Sequence, residues 1–212
     1  MIRKFLLITP LVFGLSACGL SIGSNSPKDF GVGRIVDNIQ AARGRNQPKQ
    51  EKQAGLTRDA LNKINRELIK VQLTKYGTTG VFTKVADRSN NQTFQSTAKQ
   101  SITLQDGALR MTRGLPFDLL ETDLRNDQDR KYRFLNAANN LTEVTVSCDR
   151  QSVGSDPIEI VERSYNTTLI EETCRGSGTA FKNRYWVQGN TIWKSQQWIG
   201  PQHGFAIIEK LN

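Results

Sequence analysis

From residue 68 onward, apolar and polar residues alternate in short runs that are separated by turn-forming residues. Alternation of this kind is typical of β-strands with one buried face. In the first half it predicts strands at 68–74, 80–86, 92–97, 101–104 and 108–112. The strongest turn signal between them is Asp106-Gly107, because a type I′ turn needs positive φ at both central residues. The pattern therefore predicts an antiparallel meander.

Two segments have helical spacing instead. Apolar residues recur at three- and four-residue intervals across 60–68, and Thr57 or Asp59 can cap the start, which predicts a short N-terminal helix that covers the sheet. Residues 116–124 predict a second, mid-chain helix with Pro116 in its first turn and leucines on its apolar side. More strands follow to the C-terminus, so the predicted fold is mainly β with two short helices.

The N-terminus combines a basic start, a short apolar run and a cysteine. Residues 5–14 are apolar but too short to span a bilayer as a helix, and Leu15-Ser16-Ala17-Cys18 follows them as a lipobox. We expect a signal peptide at 1–17 and acylation of Cys18, which anchors the chain to a membrane without crossing it. Gly19, in place of an aspartate, favours the periplasmic face of the outer membrane.

Residues 19–55 are rich in small, polar and basic side chains. Such a composition buries little apolar surface, so 18–55 is predicted to be a flexible lipidated tether with a reach of about 30–35 Å. Ile35, Val36 and Ile39 have helical spacing, which would let part of the tether order against the domain or the lipid. Residues 56–212 remain as one β domain.

The chain is basic, with 29 Lys and Arg against 20 Asp and Glu. Removal of the leader takes away two basic residues, and the others are spread along the chain without a dense run. A nucleic-acid partner is excluded because an exported lipoprotein does not routinely meet one. Anionic lipid headgroups, peptidoglycan or an acidic polysaccharide are the candidate partners, and the alternative is a solvated basic surface without a specific partner.

Besides Cys18, the chain contains Cys148 and Cys174. In an oxidising compartment this pair is expected to form a disulfide, and each residue ends a strand-like run, so the bond would join neighbouring strands. The loop length predicts a contribution of about 3–4 kcal/mol. There is no Cys-x-x-Cys and the one histidine is distant in sequence, so we expect no metal and no cofactor.

Sequence motifs of common hydrolases, phosphate-binding loops and zinc proteases are absent, which argues against an enzyme. His203 is expected to be a surface or turn residue and not a general base. Asp118, Glu121 and Asp123 are interpreted as charges at a helix start and not as a glycosidase pair. Arg113 and Asp118 are predicted to form a buried ion pair, which makes them a candidate polar site.

Aromatic residues are concentrated in two runs joined at Gly189-Asn190, another hairpin signal. Alternation places Trp193 and Trp198 on opposite faces. The rings are expected to fill a barrel and its rim, and the alternative is a stacking surface for sugars or acyl chains. The candidate binding residues are Arg113, Asp118, Tyr185, Trp186, Trp193, Gln197 and Trp198.

Residues 107–115 with 118–120, then 181–187, then 192–201 occur in this order around the two cysteines. With this order, this spacing and the lipobox, the chain resembles the GfcB/YjbF lipoproteins, which are associated with group 4 capsule and exopolysaccharide export. The resemblance covers about residues 56–212. It implies a mainly antiparallel, partly open β-barrel or sandwich on the periplasmic face, and no catalytic reaction.

The expected function is that of a non-enzymatic outer-membrane lipoprotein that supports capsule or exopolysaccharide assembly or export by binding a partner protein or the glycan. The alternative is a periplasmic carrier or chaperone that holds a lipid or a lipoprotein in a half-open barrel. A carrier needs an empty apolar cavity of roughly several hundred Å³, whereas the barrel of a binding scaffold is filled by side chains.

Overall fold

The computed structural model describes residues 56–124, 129–136, 138 and 140–212. The predicted signal peptide, Cys18 and the predicted tether lie outside these residues. The described residues form helix α1 (Arg58–Asn62) and 14 strands. The strands are β1 (Leu68–Leu73), β2 (Thr78–Arg88), β3 (Asn91–Gln95), β4 (Ser101–Gln105), β5 (Ala108–Arg113), β6 (Leu119–Asp123), β7 (Asp129–Leu135), β8 (Leu141–Ser155), β9 (Ile158–Ile160), β10 (Arg163–Tyr165), β11 (Thr168–Gly176), β12 (Thr179–Gln188), β13 (Thr191–Gly200) and β14 (Gly204–Lys210).

Twelve strands form one antiparallel sheet in the order β5-β4-β3-β2-β1-β14-β13-β12-β11-β8-β7-β6. Its two end strands, β5 and β6, follow each other in the chain and meet, because the Leu119 N–H donates to Thr112 Oγ1 at 3.0 Å. The sheet therefore curls into a nearly closed barrel. This architecture confirms the expected mainly-β fold.

The five strands predicted in the first half are all present as β1 to β5. At the β4–β5 turn, Asp106 and Gly107 have φ of 50° and 79°, as a type I′ turn requires. The predicted hairpin at Gly189-Asn190 joins β12 to β13. Local alternation and turn chemistry thus fixed these elements without help from distant contacts.

The predicted N-terminal helix is confirmed, but it is shorter than its apolar spacing indicates. It begins after Thr57, whose hydroxyl accepts a hydrogen bond from the Ala60 N–H at 3.3 Å, and it ends at Asn62. Leu68 belongs to β1 instead. The helix packs with the separate β9–β10 hairpin against the sheet, where they bury a second apolar cluster made of Leu61, Leu68, Ile160, Tyr165 and Leu211.

Arg58 connects α1 and the β9–β10 hairpin through hydrogen bonds. Its guanidinium donates to the carbonyl oxygens of Val161 at 3.1 Å, Ile160 at 2.6 Å and Leu211 at 2.6 Å. It therefore connects α1 to the β9–β10 turn and to the end of β14. These bonds are charge-assisted, and such bonds are stronger than neutral ones.

Replacing Arg58 by methionine is expected to lower the free energy of unfolding by about 2 kcal/mol, because the carbonyl oxygens lose charged donors. Hydrogen exchange of the β9–β10 amides should accelerate more than exchange in β1. Arg66→Met, at an exposed arginine nearby, is the control and should change stability by less than about 0.5 kcal/mol. Equal stability of the two variants in urea titrations would contradict the role given to Arg58.

The predicted mid-chain helix at 116–124 is wrong, because residues 119–123 form β6 and pair with β7. The Asp118 carboxylate accepts hydrogen bonds from the N–H groups of Gly114 at 2.8 Å and Leu115 at 3.1 Å, which closes a turn before the strand. A register shift between Leu119 and Glu121 disturbs the strand's alternation. The leucines of this strand therefore have the spacing of a helix although the segment is not helical.

Side chains from both halves of the sheet fill the barrel interior. Trp198 stacks on Phe181 with ring centroids 4.4 Å apart, and Tyr132 meets Trp198 edge-on at 5.1 Å. Phe82 and Ile102 are almost fully buried in the same core. Among the described residues, no helix has the length and apolar character that a bilayer span requires.

The expected disulfide is present. Cys148 on β8 lies directly opposite Cys174 on β11, and their sulfurs are bonded. The bond joins neighbouring strands, as the ends of the two strand-like runs predicted, and it encloses the β9–β10 hairpin in its loop.

Candidate functional site

A cavity of about 410 Å³ lies at one mouth of the barrel, where three turns approach one another. The turns are the β2–β3 turn at Ser89-Asn90, the β4–β5 turn at Asp106-Gly107 and the β12–β13 turn at Gly189-Asn190, from which Asn190 lines the cavity together with Thr191 of β13. We call this cavity the mouth pocket. Its volume lies within the range of roughly 300–1,000 Å³ that is typical of small-molecule sites.

The mouth pocket has an apolar floor and a polar rim. Ile69, Phe94, Leu104 and Ile208 belong to the buried core and reach the floor of the pocket. The rim carries carboxylates, amides and a lysine, namely Glu67, Asp87, Asn90, Gln92, Asp106 and Lys210. The arrangement can contact the apolar face of a ligand and hydrogen-bond its polar edge at the same time.

Lys84 holds two of the rim carboxylates. Its ammonium donates to Glu67 Oε1 at 2.7 Å and to Asp87 Oδ2 at 3.0 Å. Gln92 Nε2 adds a bond to Asp87 at 3.3 Å. The bonds from Lys84 and then from Gln92 lower the pKa of Asp87, so this carboxylate is ionised at neutral pH.

One oxygen of Glu67 is incompletely paired. Glu67 Oε2 is buried and makes no hydrogen bond to a described residue, and the Lys210 ammonium lies 3.9 Å from it. A buried oxygen without a donor is costly, so it is disposed to accept a bond from water or from a ligand hydroxyl.

Gln197, a predicted binding residue, braces the rim from inside the barrel. Its Oε1 accepts from the Leu109 N–H at 2.7 Å, and its Nε2 donates to the Gly107 carbonyl oxygen at 2.9 Å. Glycine is favoured at position 107, because φ is 79° there and an added Cβ would also come within 2.7 Å of Ile192 Cδ1. Gln197 is 3% exposed and therefore acts on the pocket through the β4–β5 turn.

The aromatic candidates are buried or half-buried. Trp198 lies in the core, and Tyr185 lies in the interior, where burial raises its pKa. Trp186 Nε1 donates to the Asp156 carboxylate at 2.8 Å. Trp193 packs on Tyr165 of β10 with ring centroids 4.0 Å apart. This placement agrees with rings that fill the barrel and its rim, and it leaves little aromatic surface for stacking.

The barrel interior also contains an ion pair that the sequence analysis missed. Arg130 on β7 donates to Glu172 on β11 at 2.8 Å, and their side chains are 6% and 1% exposed. Asn183 Nδ2 donates to the other Glu172 oxygen at 2.8 Å, and Arg150 lies 3.7 Å from the carboxylate. Arg130, Tyr132 and Phe134 are two residues apart and lie on the same face of β7, which is buried. This shared face could have indicated that Arg130 is buried.

The environment keeps Glu172 ionised. Burial by itself raises the pKa of Glu172, but the hydrogen bonds from Arg130 and Asn183 outweigh it, so the net pKa lies below the ordinary value. Glu172 also lies beside Cys148 and Cys174, the one group among the described residues with the spacing of a metal site. Both sulfurs are already bonded to each other, so they cannot serve as thiolate ligands.

The predicted buried ion pair between Arg113 and Asp118 is wrong. Arg113 is exposed and donates to carbonyl oxygens, including Thr112 O at 2.7 Å. Asp118 instead accepts from the Thr112 hydroxyl at 2.8 Å and from backbone N–H groups. Its role in the structure is to shape the turn before β6. Glu121, which is paired with Arg133 at 2.9 Å, lies on β6 together with Asp123, so neither charge is at a helix start.

The prediction of a surface or turn residue is confirmed in that His203 lies in a turn, but its side chain is buried and not at the surface. Its ring is 1% exposed, lies 5.5 Å from the Tyr76 ring, and hydrogen-bonds the Pro116 carbonyl oxygen through Nε2. Burial lowers its pKa, with Lys75 adding to this effect, while the Pro116 bond and the Asp118 charge oppose it. Nδ1 has no partner among the described residues, so a proton there would be a buried charge.

Stability is therefore expected to fall on acidification. The folded pKa of His203 lies below its ordinary value of 6.5, so the unfolded chain binds the proton first, and stability is lost as the pH falls below 6.5. Between pH 7.5 and 5.5 the loss should be about 1 kcal/mol in urea titrations. His203→Gln, which removes the one histidine, should lack this component. An identical pH dependence in wild type and variant would refute the assignment.

Comparisons with known proteins identify relatives of this architecture. A family model described as group 4 capsule polysaccharide lipoprotein GfcB, YjbF matches residues 38–211. The crystal structure of the hypothetical lipoprotein YmcC from Escherichia coli (K12) is similar, with a TM-score of 0.68 and 14% sequence identity. The similarity covers 78% of this chain and 98% of that chain, and at this identity it concerns the fold alone. No curated protein sequence matches the chain.

Proposed function

The chain belongs to the YjbF family of group 4 capsule polysaccharide lipoproteins, and from that premise we propose that it is a non-enzymatic lipoprotein that supports capsule or exopolysaccharide assembly or export. It does so by binding the glycan or a protein of the export machinery. The observation that supports a binding role is the mouth pocket, an open site with a polar rim on an otherwise filled barrel.

The carrier alternative receives less support from the interior of the barrel. A carrier of acyl chains needs an apolar cavity, but the core residues occupy the space between the two halves of the sheet. The mouth pocket is bordered by three carboxylates, which would be desolvated at a cost by an acyl chain. A polar ligand or a protein surface fits this lining better.

We place the protein at the periplasmic face of the outer membrane, anchored through acylated Cys18. The lipobox and Gly19 support this location, and residues 18–55 would allow the domain to reach partners near the membrane. Density-gradient fractionation of the source bacterium should recover the full-length chain with the outer membrane, and Cys18→Ala in the soluble periplasmic fraction. Recovery of the wild-type chain with the inner membrane would contradict the location.

The binding role is tested by affinity purification of the tagged full-length chain from gently solubilised membranes of the source bacterium. We expect surface glycan or export proteins to copurify. The Cys18→Ala variant, which lacks the anchor, controls for adsorption during solubilisation. Recovery of lipid or lipoproteins without any export component or glycan would overturn the proposal in favour of the carrier.

A further inference from the structure

We propose that the mouth pocket binds an uncharged saccharide unit, a single hexose or N-acetylhexosamine residue of a glycan chain. The inference rests on the proposed function and makes it more specific, because it selects the glycan and assigns its site. It depends on the chemistry of the lining, the charge of the rim and the side chains that hold the rim in place.

The lining suits a sugar ring. A pyranose presents one apolar face of C–H groups and an edge of hydroxyls, and Phe94, Leu104 and Ile208 offer an apolar floor to such a face. At the rim, Asn90 Nδ2 donates to Asp106 at 3.1 Å and Gln92 Nε2 donates to Asp87 at 3.3 Å, so each amide keeps one N–H and its carbonyl oxygen for ligand hydroxyls. The volume of about 410 Å³ accommodates a unit of this size and leaves the mouth open for a continuing chain.

Several polar groups are available for the ligand. The side chains of Asn190 and Thr191 make no hydrogen bond to another described residue, although both line the pocket. Glu67 Oε2 is buried without a donor at the same site. A hydroxyl group can donate to this carboxylate oxygen and accept from the Asn190 amide, whereas an acyl chain can do neither.

The charge of the rim selects against acidic sugars. Glu67, Asp87 and Asp106 line the pocket with one cation, Lys210, and the nearby Lys84 is already bonded to two of the carboxylates. A uronate or another anionic unit would meet net repulsion in a partly dehydrated site. The pocket is therefore acidic in a chain whose overall charge is basic, so an electrostatic attraction of anionic polymers would have to act elsewhere on the surface.

The test uses short oligosaccharides cut from the surface polysaccharide of the source bacterium, in native form and with their carboxyl groups reduced to alcohols. Binding to the purified full-length chain is measured by isothermal titration calorimetry. We expect the carboxyl-reduced fragments to bind at least as tightly as the native ones. Native fragments that bind tenfold tighter than reduced ones, or no binding of either form, would overturn the proposal.

Two threonines give a matched pair of variants. Thr191→Trp places a large ring into the pocket at the start of β13, and Thr168→Trp makes the same change at the exposed start of β11. We expect the first to weaken binding at least tenfold and the second to leave it within about twofold of wild type. Unchanged binding in folded Thr191→Trp would place the site elsewhere and overturn the proposal.

A milder substitution guards against misfolding. Asn190→Ala removes one rim amide at the exposed turn and leaves Gly189, the residue with positive φ, in place. We expect Asn190→Ala to weaken binding about threefold or more without changing the urea midpoint. Binding equal to that of the wild type would contradict the assignment of Asn190 to the binding site. If export proteins copurify with the chain but no fragment binds, the proposed function stands while the saccharide site fails.

Discussion

Replacing Glu172 by glutamine is expected to lower the free energy of unfolding by about 3–5 kcal/mol. The variant leaves the buried Arg130 guanidinium without its counter-charge, and Arg150 loses the same partner. Removing one member of a buried pair costs more than the pair contributes, because the remaining charge stays desolvated. Urea titrations at neutral pH, followed by tryptophan fluorescence, measure the difference.

The neighbouring residue supplies the control. Glu171 is paired with Lys182 at 2.6 Å and Arg184 at 2.9 Å, but these partners are solvent-accessible. Glu171→Gln should therefore cost no more than about 1 kcal/mol. The same Glu→Gln change at a buried and at an exposed ion pair thus separates the effect of burial on stability from the effect of ion pairing alone. Equal losses in the two variants would show that the interior pair has no special role in stability.

Acidification should remove the stabilisation by the Arg130–Glu172 ion pair in the wild type. The folded pKa of Glu172 lies below its ordinary value of 4.5, so the stabilisation is present above pH 4.5 and is lost as the pH falls through the folded pKa. Glu172→Gln should show a flatter decline below pH 4.5 than Glu171→Gln.

Removal of the disulfide is the second large effect expected. The bond closes a loop with a sequence separation of 26 residues, which corresponds to about 3–4 kcal/mol in the chain-entropy description. Cys148→Ala combined with Cys174→Ala should therefore lower the free energy of unfolding by about this amount. Reductant should lower the urea midpoint of the wild type and leave that of the double variant unchanged.

The location of the bond adds a second consequence. It ties β8 to β11 and encloses the β9–β10 hairpin, which shares an apolar cluster with Leu61 of α1, Leu68 of β1 and Leu211. Loosening this loop should expose the hairpin amides to hydrogen exchange before the β1 amides. Uniform acceleration over the whole sheet would instead indicate that the disulfide stabilises the fold only globally.

Elements whose conformation depends on neighbouring residues could be predicted from the sequence. The strands β1 to β5, their type I′ turn and the helix cap at Thr57 follow from alternation and backbone chemistry within a few residues. The cysteine pair followed from the expected compartment and from the strand-like runs that contain Cys148 and Cys174, although β8 continues past Cys148 to Ser155. The resemblance to the YjbF family, drawn from spaced motifs, is confirmed by the match over residues 38–211.

The wrong predictions concern residues whose environment depends on contacts with other segments of the sheet. β6 was taken for a helix because its leucines have helical spacing, and pairing with β7 overrides that preference. His203 was expected to be a surface or turn residue; it lies in a turn, but the Pro116 carbonyl oxygen and the Tyr76 ring contact its side chain, which is buried. In each case a tertiary contact outweighed a weak local signal.

The sequence by itself determined strands β1 to β5, the short N-terminal helix, the disulfide pair, the family and the expectation of a filled β-barrel. Only the tertiary structure decided which polar residues lie together. Arg130 and Glu172 are 42 residues apart, and Gln197 reaches Leu109 across 88 residues. The mouth pocket likewise combines three turns that are distant in the chain. Local patterns specify strands and turns, whereas the curvature and register of the closed sheet specify which of them meet.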